Sequence, residues 1–476
     1  MVMRNTGTWL AFAASCLLYA ISALNTGSLS LTEIYTSALF ADELPRVRSI
    51  VFDPVGDLLT LVADQNSVVA LWNNGTSRAT IIDNTVVPGG QNLTHGLAFS
   101  NNYIYATSTT NVWRWPYTPG SRSKITTQGQ PVVYNIVNAS QVNGHSTRTI
   151  LIRESDQALF VQVGSGTNVD PNPDRARVRV VDLSNASALA SGGYDFQQAH
   201  VFADGLRNEV GLALDADGNV FGVENGADQL NRSDLGGDIH NDNPAEEFNL
   251  LGNSSVGMNG YRNMGYPYCW TEYNLTEYTT KALGKGGQWA WPLAQGTQTD
   301  AWCRNTSNNE QPIVAMQAHS APLDVIFYNG TGCGGQGSLP CSMTGHAIVS
   351  FHGSWNRSPY TGFKVVHVPF SRPVTPTGQV LDMWGEQNAS LCSSSTGSSC
   401  VRPVGLAIRS DGVLFVSSDS TGEVYSLAYS ANASSATNAG TSSGARTRGV
   451  YGWFLAFGIL LCGWCMSEFS ADFSAG

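Results

Sequence analysis

Residues 210–223, VGLALDADGNVFGV, contain an apolar run, an Asp-Gly turn and a second apolar run. The same arrangement recurs in residues 404–416, VGLAIRSDGVLFV, with Asp411 and Gly412 at the turn. Asp-Gly between two apolar runs is a strong signal of a β-hairpin, because glycine tolerates the positive φ angle that such turns require. These two stretches therefore predict paired antiparallel strands.

Four further stretches fit this pattern more loosely. Three turn at Val55-Gly56, at Asn101-Asn102 and at Asp156-Gln157, and the fourth runs from Leu323–Tyr328 to His346–Phe351. Six hairpins in a chain of this length indicate an all-β fold, a six-bladed β-propeller of four-stranded antiparallel sheets that spans residues 24–429. Such a fold carries ligands at its axis, on the loops between strands.

Two parts of the chain depart from the repeat. We expect the segment from Leu29 to Tyr35 to close the ring by pairing with Val424–Tyr429, because closure removes the open strand edges that invite aggregation. The long gap between the turns at 217 and 329 is rich in glycine and aromatic residues. The aromatic residues argue against disorder, so we predict an ordered insertion at the active face.

The composition excludes several classes of partner. The chain has 476 residues, a formal net charge of −11 and only 13% charged residues. An acidic chain is poorly suited to bind nucleic acid or an anionic membrane surface. The sequence also lacks the glycine-rich fingerprints of dinucleotide- and ATP-binding folds, which argues against a nicotinamide or ATP enzyme.

Residues 1–23 have the features of a secretory signal peptide. Arg4 supplies the positive charge, Trp9 to Ala20 form an apolar stretch too short to span a bilayer, and Ser22 and Ala23 are small residues near the expected cleavage site. Twelve N-x-S/T sequons support a eukaryotic secretory route and an extracellular location. The sequons lie at Asn74, Asn92, Asn138, Asn185, Asn231, Asn253, Asn274, Asn305, Asn329, Asn356, Asn388 and Asn432.

Six of the nine cysteines lie between the signal peptide and the C-terminal tail. An even number of cysteines in an oxidising compartment indicates disulfides, here three. Pairing of neighbours along the sequence would close one loop with each bond. The predicted pairs are Cys269 with Cys303, Cys333 with Cys341, and Cys392 with Cys400.

A separate C-terminal tail follows the propeller. Residues 430–449 are rich in Ser, Ala, Thr, Asn and Gly, which predicts a flexible linker. Residues 450–476 begin with an apolar run from Val450 to Met466, which fits either a GPI-attachment signal or a membrane span. We favour the GPI signal. In both cases the protein is anchored at the cell surface and contacts the membrane only through this tail.

Positively charged or proton-accepting residues stand beside several of the predicted hairpins. Equivalent loops of different blades converge at the axis, so a ring of such side chains would suit an anionic, planar ligand. Any one of these residues alone is more often structural, and only their convergence favours a functional site. The candidates are His145, Arg207, Asn208, His319, His352, Trp355, Arg357 and Arg402.

Several longer stretches resemble one family of enzymes. These are FADGLRNEVGLALDADGNVFGVENGADQL (202–230), NMGYPYCW (263–270), AHSAPLDVIFY (318–328), FHGSWNRSPYTGFKVVHVPF (351–370) and RPVGLAIRSDGVLFVSSDSTGEVY (402–425). They are similar, in matching order, to the soluble quinoprotein sugar dehydrogenases, especially the sorbosone and fungal pyranose dehydrogenase branch. The resemblance implies a six-bladed propeller that holds pyrroloquinoline quinone (PQQ) and Ca²⁺ at its axis.

The resemblance also assigns roles to single residues. His145 matches the catalytic base of the family, and Arg207 and Asn208 match residues that hold the quinone C5 oxygen and the carboxylates. Gly226 and Ala227 match a pair whose backbone carbonyls ligate calcium. Two further positions match cations that pair with PQQ carboxylates; these are Arg402 and Lys364, with Arg357 as the alternative to Lys364.

Two positions depart from the family pattern. The calcium pair is Gly-Ala here rather than Gly-Pro, a change that preserves backbone ligation but reduces rigidity. The acid that orients the catalytic histidine is replaced near Ser165, and Asp170 is an alternative partner for His145.

The implied activity is oxidation of a sugar by hydride transfer to PQQ, with His145 as general base and Ca²⁺ as Lewis acid. The sugar would be a pyranose, an aldose or a 2-keto-aldose such as sorbosone. The electron acceptor would be a separate cytochrome, quinone or small mediator. Two other readings stay open, a non-catalytic binding module at the cell surface and a Ca²⁺-dependent lactone hydrolase.

Overall fold

The computed structural model describes residues 29–31, 35–138, 142–292, 296–392 and 400–430. The predicted signal peptide, the sequon at Asn432 and all but the first residue of the C-terminal linker and tail lie outside these residues. Among the described residues, no helix is long and apolar enough to cross a bilayer.

Six four-stranded antiparallel sheets, numbered here as blades one to six, form the body of the protein. The strands of blades one to three are Val47–Phe52, Leu58–Val62, Ser67–Trp72 and Ser77–Ile82; Leu93–Ser100, Tyr103–Ser108, Val112–Pro116 and Gln130–Tyr134; and Ile150–Arg153, Ala158–Val163, Arg177–Asp182 and His200–Asp204. The strands of blades four to six are Glu209–Leu214, Val220–Glu224, Glu246–Gly252 and Val314–Met316; Pro322–Phe327, Ala347–Phe351, Lys364–Val368 and Leu381–Glu386; and Pro403–Ile408, Leu414–Ser418, Glu423–Tyr429 and Tyr35–Ala41.

Short elements complete the described fold. Tyr194–Asp195, Arg262–Asn263 and Leu29–Leu31 add a fifth strand to blades two, three and five. Three small hairpins pair Asn231–Arg232 with Gly237–Asp238, Cys269–Thr271 with Gln288–Ala290, and Phe370–Arg372 with Thr375–Pro376. The helices are Ala186–Ala190 and Asp300–Cys303, and the 3₁₀ turns are Ala63–Gln65, Pro88–Gly90, Phe196–Gln198, Ser233–Leu235, Ser254–Asn259, Cys341–Met343 and Ala389–Leu391.

The blades form a closed ring around an axis. The first strand of each blade contacts the first strands of both neighbouring blades, and the first strand of blade six contacts that of blade one. Each joint between blades is filled by its own apolar cluster, so the hydrophobic core is divided into six wedges. Val210, Leu323 and Val404, from three first strands, form a further small cluster. The six-bladed propeller predicted from the hairpins is confirmed.

All six predicted hairpins form, each as the first two strands of a blade. The predicted closing strand is wrong in position. Tyr35–Ala41, rather than Leu29 to Tyr35, pairs with Glu423–Tyr429 and completes blade six. Leu29–Leu31 instead pairs with Leu381–Glu386 at the outer edge of blade five.

Close approach between blades depends on glycine at particular inner positions. Gly405 N donates to Ser417 Oγ at 2.8 Å, and that hydroxyl donates to the Arg48 carbonyl of blade one at 2.7 Å. A Cβ atom on Gly405 would lie 2.6 Å from the Arg48 carbonyl oxygen. Gly96 stands in the same relation to the Arg148 carbonyl, with Thr107 as the bridging hydroxyl. These glycines let neighbouring first strands approach each other closely.

The predicted insertion is ordered where the structure describes it. It leaves blade four on both sides of Glu246–Gly252 and has an apolar cluster of its own, which includes Trp270, Trp289 and Trp291. The Cys269–Cys303 disulfide ties this insertion together, and Cys333–Cys341 and Cys392–Cys400 close two further loops. The predicted disulfide pairing is therefore confirmed.

Candidate active site at the propeller axis

A cavity of about 210 Å³ lies where the inner ends of several blades meet. Eight of the residues singled out in the sequence line it: His145, Arg207, Asn208, Gly226, His319, His352, Trp355 and Arg402. Most of them lie just before the first strand of a blade, while Gly226 and His352 lie just after a second strand. Since these two strands are antiparallel neighbours, the start of one and the end of the other meet at the same end of the ring.

His145 is held in one tautomer by Ser165. Its Nδ1 lies 3.0 Å from both the Ser165 carbonyl oxygen and the Ser165 hydroxyl. A carbonyl oxygen only accepts hydrogen bonds, so Nδ1 carries the proton and Nε2 keeps its lone pair. Burial, with the nearby positive charge of Arg207, lowers the pKa of His145 to about 4. The ring is therefore neutral at pH 7 and able to accept a proton at Nε2.

Arg207 is fixed by a cage of oxygens. Its guanidinium donates to the carbonyls of Gly226 at 2.7 Å, Asn225 at 3.2 Å and Asn168 at 3.1 Å. It also pairs with Asp228 at 2.8 Å, and its backbone N–H donates to Glu224. Only 6% of the residue is exposed. A guanidinium held in this way is oriented before any ligand arrives.

Asp228 connects Arg207 to a second histidine. His319 Nε2 donates to the His240 carbonyl at 2.6 Å, and its Nδ1 lies 3.6 Å from Asp228. Burial opposes a charge on His319, but Asp228 and Glu246 outweigh it and raise the pKa of His319 above its usual value. Burial also opposes ionisation of Asp228, yet His319 and Arg207 lower its pKa. This corner of the cavity therefore holds paired charges.

His352 belongs to a second buried polar chain, and its backbone N–H donates to the Ala321 carbonyl at 2.9 Å. Its Nε2 lies 2.8 Å from Asp419, which also pairs with Arg48, and Arg48 Nε donates to His95 Nδ1 at 3.2 Å. Burial opposes ionisation of Asp419, but His352 and Arg48 together hold its pKa well below the usual range. Burial lowers the pKa of His352 despite this carboxylate, so the ring is neutral and donates Nε2–H to Asp419.

Arg402 differs from Arg207 in its electrostatic surroundings. It donates to the carbonyls of His352 and Gly353, at 3.1 and 3.0 Å. Within the described parts of the chain, no carboxylate oxygen lies within 4.0 Å of its side-chain nitrogens, whereas Arg207 and Arg48 each have such a partner. Asp419 acts on Arg402 from a longer distance but is already paired with Arg48 and His352, so the guanidinium can pair directly with an anionic ligand.

A buried glutamate stands behind Gly226. Glu246 accepts hydrogen bonds from Gly226 N at 2.7 Å and from Ala321 N at 3.0 Å. Burial raises the pKa of Glu246 to about 7. Farther from the cavity, Glu209, Glu224 and Glu247 stand side by side across three strands of blade four. Burial raises the pKa of Glu247 to about 7 and holds the other two well above their usual values.

Three sequence-predicted site residues do not line the cavity. Lys364 starts the third strand of blade five and pairs with Asp382 at 2.7 Å. Arg357 pairs with Asp242 at 2.8 Å and lines a neighbouring groove. Ala227 is 5% exposed and packs in the apolar cluster of the insertion. The structure therefore does not bring Lys364 and Arg357 together with the other cations.

Several residues that shape the site were not assigned to it from sequence. Asp228 and Glu246 stand in an acidic stretch, 223–248, in which most carboxylates are expected to be solvated. Asp419 and Arg48 carry no local signal, since they meet only when blade six closes on blade one. Of the two alternatives for His145, the structure places Ser165 beside the ring, while Asp170 accepts from Gly166 N.

Comparison with known proteins identifies the family. The model of the TrAA12-like family matches residues 29–430. The chain belongs to the TrAA12-like family. A PQQ-dependent pyranose dehydrogenase of Coprinopsis cinerea is 33% identical over 405 residues, which are 79% of this chain and 51% of that protein. A PQQ-dependent sugar dehydrogenase of Hypocrea jecorina is 33% identical over 409 residues, 83% of this chain and 88% of its own length.

Two solved structures of similar proteins share the fold. A calcium structure of the Trichoderma reesei family AA12 protein has a TM-score of 0.73 at 31% identity and covers 85% of this chain and 97% of its own. The holo PQQ domain of pyranose dehydrogenase from Coprinopsis cinerea has a TM-score of 0.71 at 30% identity, covering 84% and 97%. This chain spans about half the length of the Coprinopsis relative, so the match is to part of that protein.

Proposed function

We propose that this protein is a PQQ-dependent dehydrogenase that oxidises a CH–OH group of a sugar. The observation that carries the proposal is the axial cavity, where Arg402 forms no direct ion pair with a described carboxylate and His145 presents an unprotonated Nε2. Relatives that are PQQ-dependent sugar dehydrogenases support it. The sugar would be a pyranose, an aldose or a 2-keto-aldose.

The donor set of the cavity fits PQQ. The cofactor is planar and carries carboxylates, which suit arginine because its planar fork binds them bidentately. Arg402 would hold a carboxylate and Asn208 would bind a carbonyl oxygen. The five guanidinium N–H groups of Arg207 already donate to Asn168, Asn225, Gly226 and Asp228, so Arg207 would act on the cofactor through its positive charge. When bound, PQQ supplies the two-electron acceptor that takes a hydride from the sugar carbon.

Calcium fits this arrangement only together with such an anion. The Gly226 carbonyl accepts a hydrogen bond from Arg207 at 2.7 Å, so a cation there would stand beside a fixed positive charge. A carbonyl oxygen has a second lone pair, and the carboxylates of PQQ would offset the repulsion. We therefore infer that Gly226 and Ala227 would hold Ca²⁺ through their carbonyls only when PQQ is also present.

The residues of the chain would perform the proton chemistry. His145 Nε2 would accept the proton of the sugar hydroxyl, while Ser165 keeps the opposite nitrogen protonated and the ring oriented. Arg207, fixed by its oxygen cage, would stabilise negative charge that develops at the acceptor. His319 and His352 would shape the cavity wall, and Trp355 would cover its mouth.

The test is a titration of the metal-free full-length protein with PQQ, with and without Ca²⁺. Absorbance would follow binding, and dye reduction would follow turnover with a panel of aldoses and 2-keto-aldoses. We expect calcium-dependent PQQ binding and sugar-dependent dye reduction. Failure to bind PQQ would overturn the proposal and favour a binding module.

We expect His145→Gln to keep PQQ bound but to lose about 10²- to 10⁴-fold in kcat, because it removes the proton acceptor. Absorbance of the bound cofactor would check binding, and single-turnover dye reduction would check the rate. An unchanged kcat in a fully loaded variant would exclude His145 as the base.

The setting of the enzyme is part of the same proposal. Three disulfides and many sequons support a secreted protein, because disulfides persist in oxidising compartments. We propose that it is extracellular, anchored at the cell surface by its C-terminal tail, and that it passes electrons to a separate acceptor. Cell fractionation with and without phospholipase treatment would test the anchor.

A further inference from the structure

A second, wider cavity opens beside the axial one. It measures about 540 Å³ and is lined by His240, Asn241, Ser390 and the segment 355–360. Trp355 lines both cavities, and 56% of it is exposed. The wider cavity, called the outer groove here, therefore adjoins the mouth of the proposed active site.

The wall of the outer groove is tied to the site itself. Arg357 donates to the Asn241 carbonyl at 2.7 Å and pairs with Asp242, and Ser358 N donates to the Asn241 side chain at 2.8 Å. The adjacent His240 carbonyl accepts the Nε2–H of His319, which lines the axial cavity. The two segments of the wall thus hold each other, and one of them also positions an active-site histidine.

The chemistry of the outer groove suits a neutral ligand with many hydroxyl groups. Arg357 is already paired with Asp242, and His240 Nδ1 is hydrogen-bonded to Asp238. Asn241, Tyr360 and Ser390 add uncharged polar groups, while Trp355 supplies an exposed aromatic surface. Apolar aromatic area combined with a few polar groups is typical of small-molecule sites. A pyranose ring, with C–H groups on its face and hydroxyls at its rim, matches this pattern.

The size of the axial cavity favours a ligand that extends beyond it. A cavity of about 210 Å³ that also holds a planar cofactor leaves the sugar near the mouth, where Trp355 stands. From there, the outer groove is the adjoining space described by the structure. We propose that the outer groove binds the second unit of a neutral oligosaccharide whose terminal unit is oxidised at the axial cavity. This inference rests on the proposed function for the identity of the reacting unit.

The test separates binding in the groove from catalysis at the axis. Tyr360→Ala removes an aromatic ring from the groove but none from the axial lining, and Tyr261→Ala removes an exposed tyrosine outside both cavities as the matched control. With PQQ-loaded protein, kcat/KM would be measured for glucose, xylose, cellotriose, xylotriose and maltotriose. We expect at least one trisaccharide to exceed its monosaccharide, and Tyr360→Ala to lower only the trisaccharide value, about two- to tenfold.

A binding measurement covers the case of an inactive protein. Calorimetric titration of the PQQ-free protein with the same trisaccharides, their reducing ends converted to alditols, needs no turnover. Weaker trisaccharide binding in Tyr360→Ala than in Tyr261→Ala supports the outer groove even if no sugar is oxidised. Absence of oxidation would contradict only the proposed function. Equal kcat/KM for monosaccharides and trisaccharides, unchanged by Tyr360→Ala, would overturn the inference and leave the dehydrogenase proposal standing. Absence of trisaccharide binding in the calorimeter would also overturn it.

Discussion

Ser165 gives His145 an orientation without giving it a counter-charge. Its carbonyl and hydroxyl both meet Nδ1, so the tautomer is the one that a carboxylate would select. A carboxylate would also stabilise the protonated ring, which two neutral oxygens do much less. This explains why burial and Arg207 can lower the pKa of His145 to about 4.

Replacing Ser165 with Asp should therefore make His145 a stronger base. We expect the pKa of the ring to rise, so the acidic limb of the kcat/KM profile should move to higher pH. A pH series from 3.5 to 8 on PQQ-loaded protein would show the shift. Ser165→Ala is the control, because it keeps the carbonyl and adds no charge. An unmoved limb in a Ser165→Asp protein that still binds PQQ would contradict this account.

Arg402 is expected to contribute to cofactor affinity rather than to folding. Arg402→Gln removes a positive charge that forms no direct ion pair with any described carboxylate, so PQQ should bind about tenfold more weakly or worse. Arg409→Gln is a matched control, since that arginine pairs with Asp411 at an exposed turn. Absorbance titration would give both affinities, and thermal unfolding without PQQ would show that the fold is intact. Equal PQQ affinity in the two variants would exclude Arg402 as a ligand.

The elements of the fold show which parts the sequence can predict. Hairpins form between neighbouring segments, and their turn residues are visible locally, so all six were predictable. Closure joins segments nearly 400 residues apart, and nothing local distinguishes Leu29–Leu31 from Tyr35–Ala41. Position in the blade also explains why Lys364 does not line the cavity: it starts a third strand, whereas most of the cavity-lining residues lie just before a first strand or just after a second strand.

Gly405 offers a test of blade packing. In Gly405→Ala the new methyl group would lie 2.6 Å from the Arg48 carbonyl oxygen, so blades six and one must move apart. Overpacking of this kind costs about 1–3 kcal/mol, which should lower Tm measurably. Gly296→Ala is the control, because a Cβ there has no neighbour within 4 Å. Equal Tm values for the two variants would show that the joint adapts.

The whole molecule carries an unusual load of buried carboxyl groups. Burial raises the pKa of Glu246, Glu247 and Asp324 to about 7, so the folded chain binds more protons than the unfolded chain up to that pH. Stability must then fall as the pH rises from about 4.5 to about 7, and these groups add no slope above that range. The buried histidines His145 and His352 have lowered pKa values, so below pH 6.5 the unfolded chain binds more protons at these residues than the folded chain does. Their contribution to stability therefore rises with pH in that range.

We therefore expect these carboxyl groups to lower the free energy of unfolding as the pH rises from about 4.5 to about 7, against the opposite contribution of the histidines. Glu247→Gln should flatten this slope by up to about 1.4 kcal/mol per pH unit, because one buried carboxyl no longer ionises. Urea unfolding of the metal-free chain at several pH values would measure the slope. Glu43→Gln, at a position with an exposed side chain, is the control. A slope that is equal in both variants would show that Glu247 does not contribute.

The pairing of Tyr35–Ala41 with Glu423–Tyr429 also orders events during synthesis. Tyr35–Ala41 is synthesised nearly 400 residues before its partner strand, so the nascent chain carries an unpaired strand edge until Glu423–Tyr429 has been made. Five blades can assemble in sequence order, but the ring stays open until release of the C-terminal strand. A chain truncated before Glu423 leaves that edge exposed, so it would be an open sheet rather than a smaller propeller.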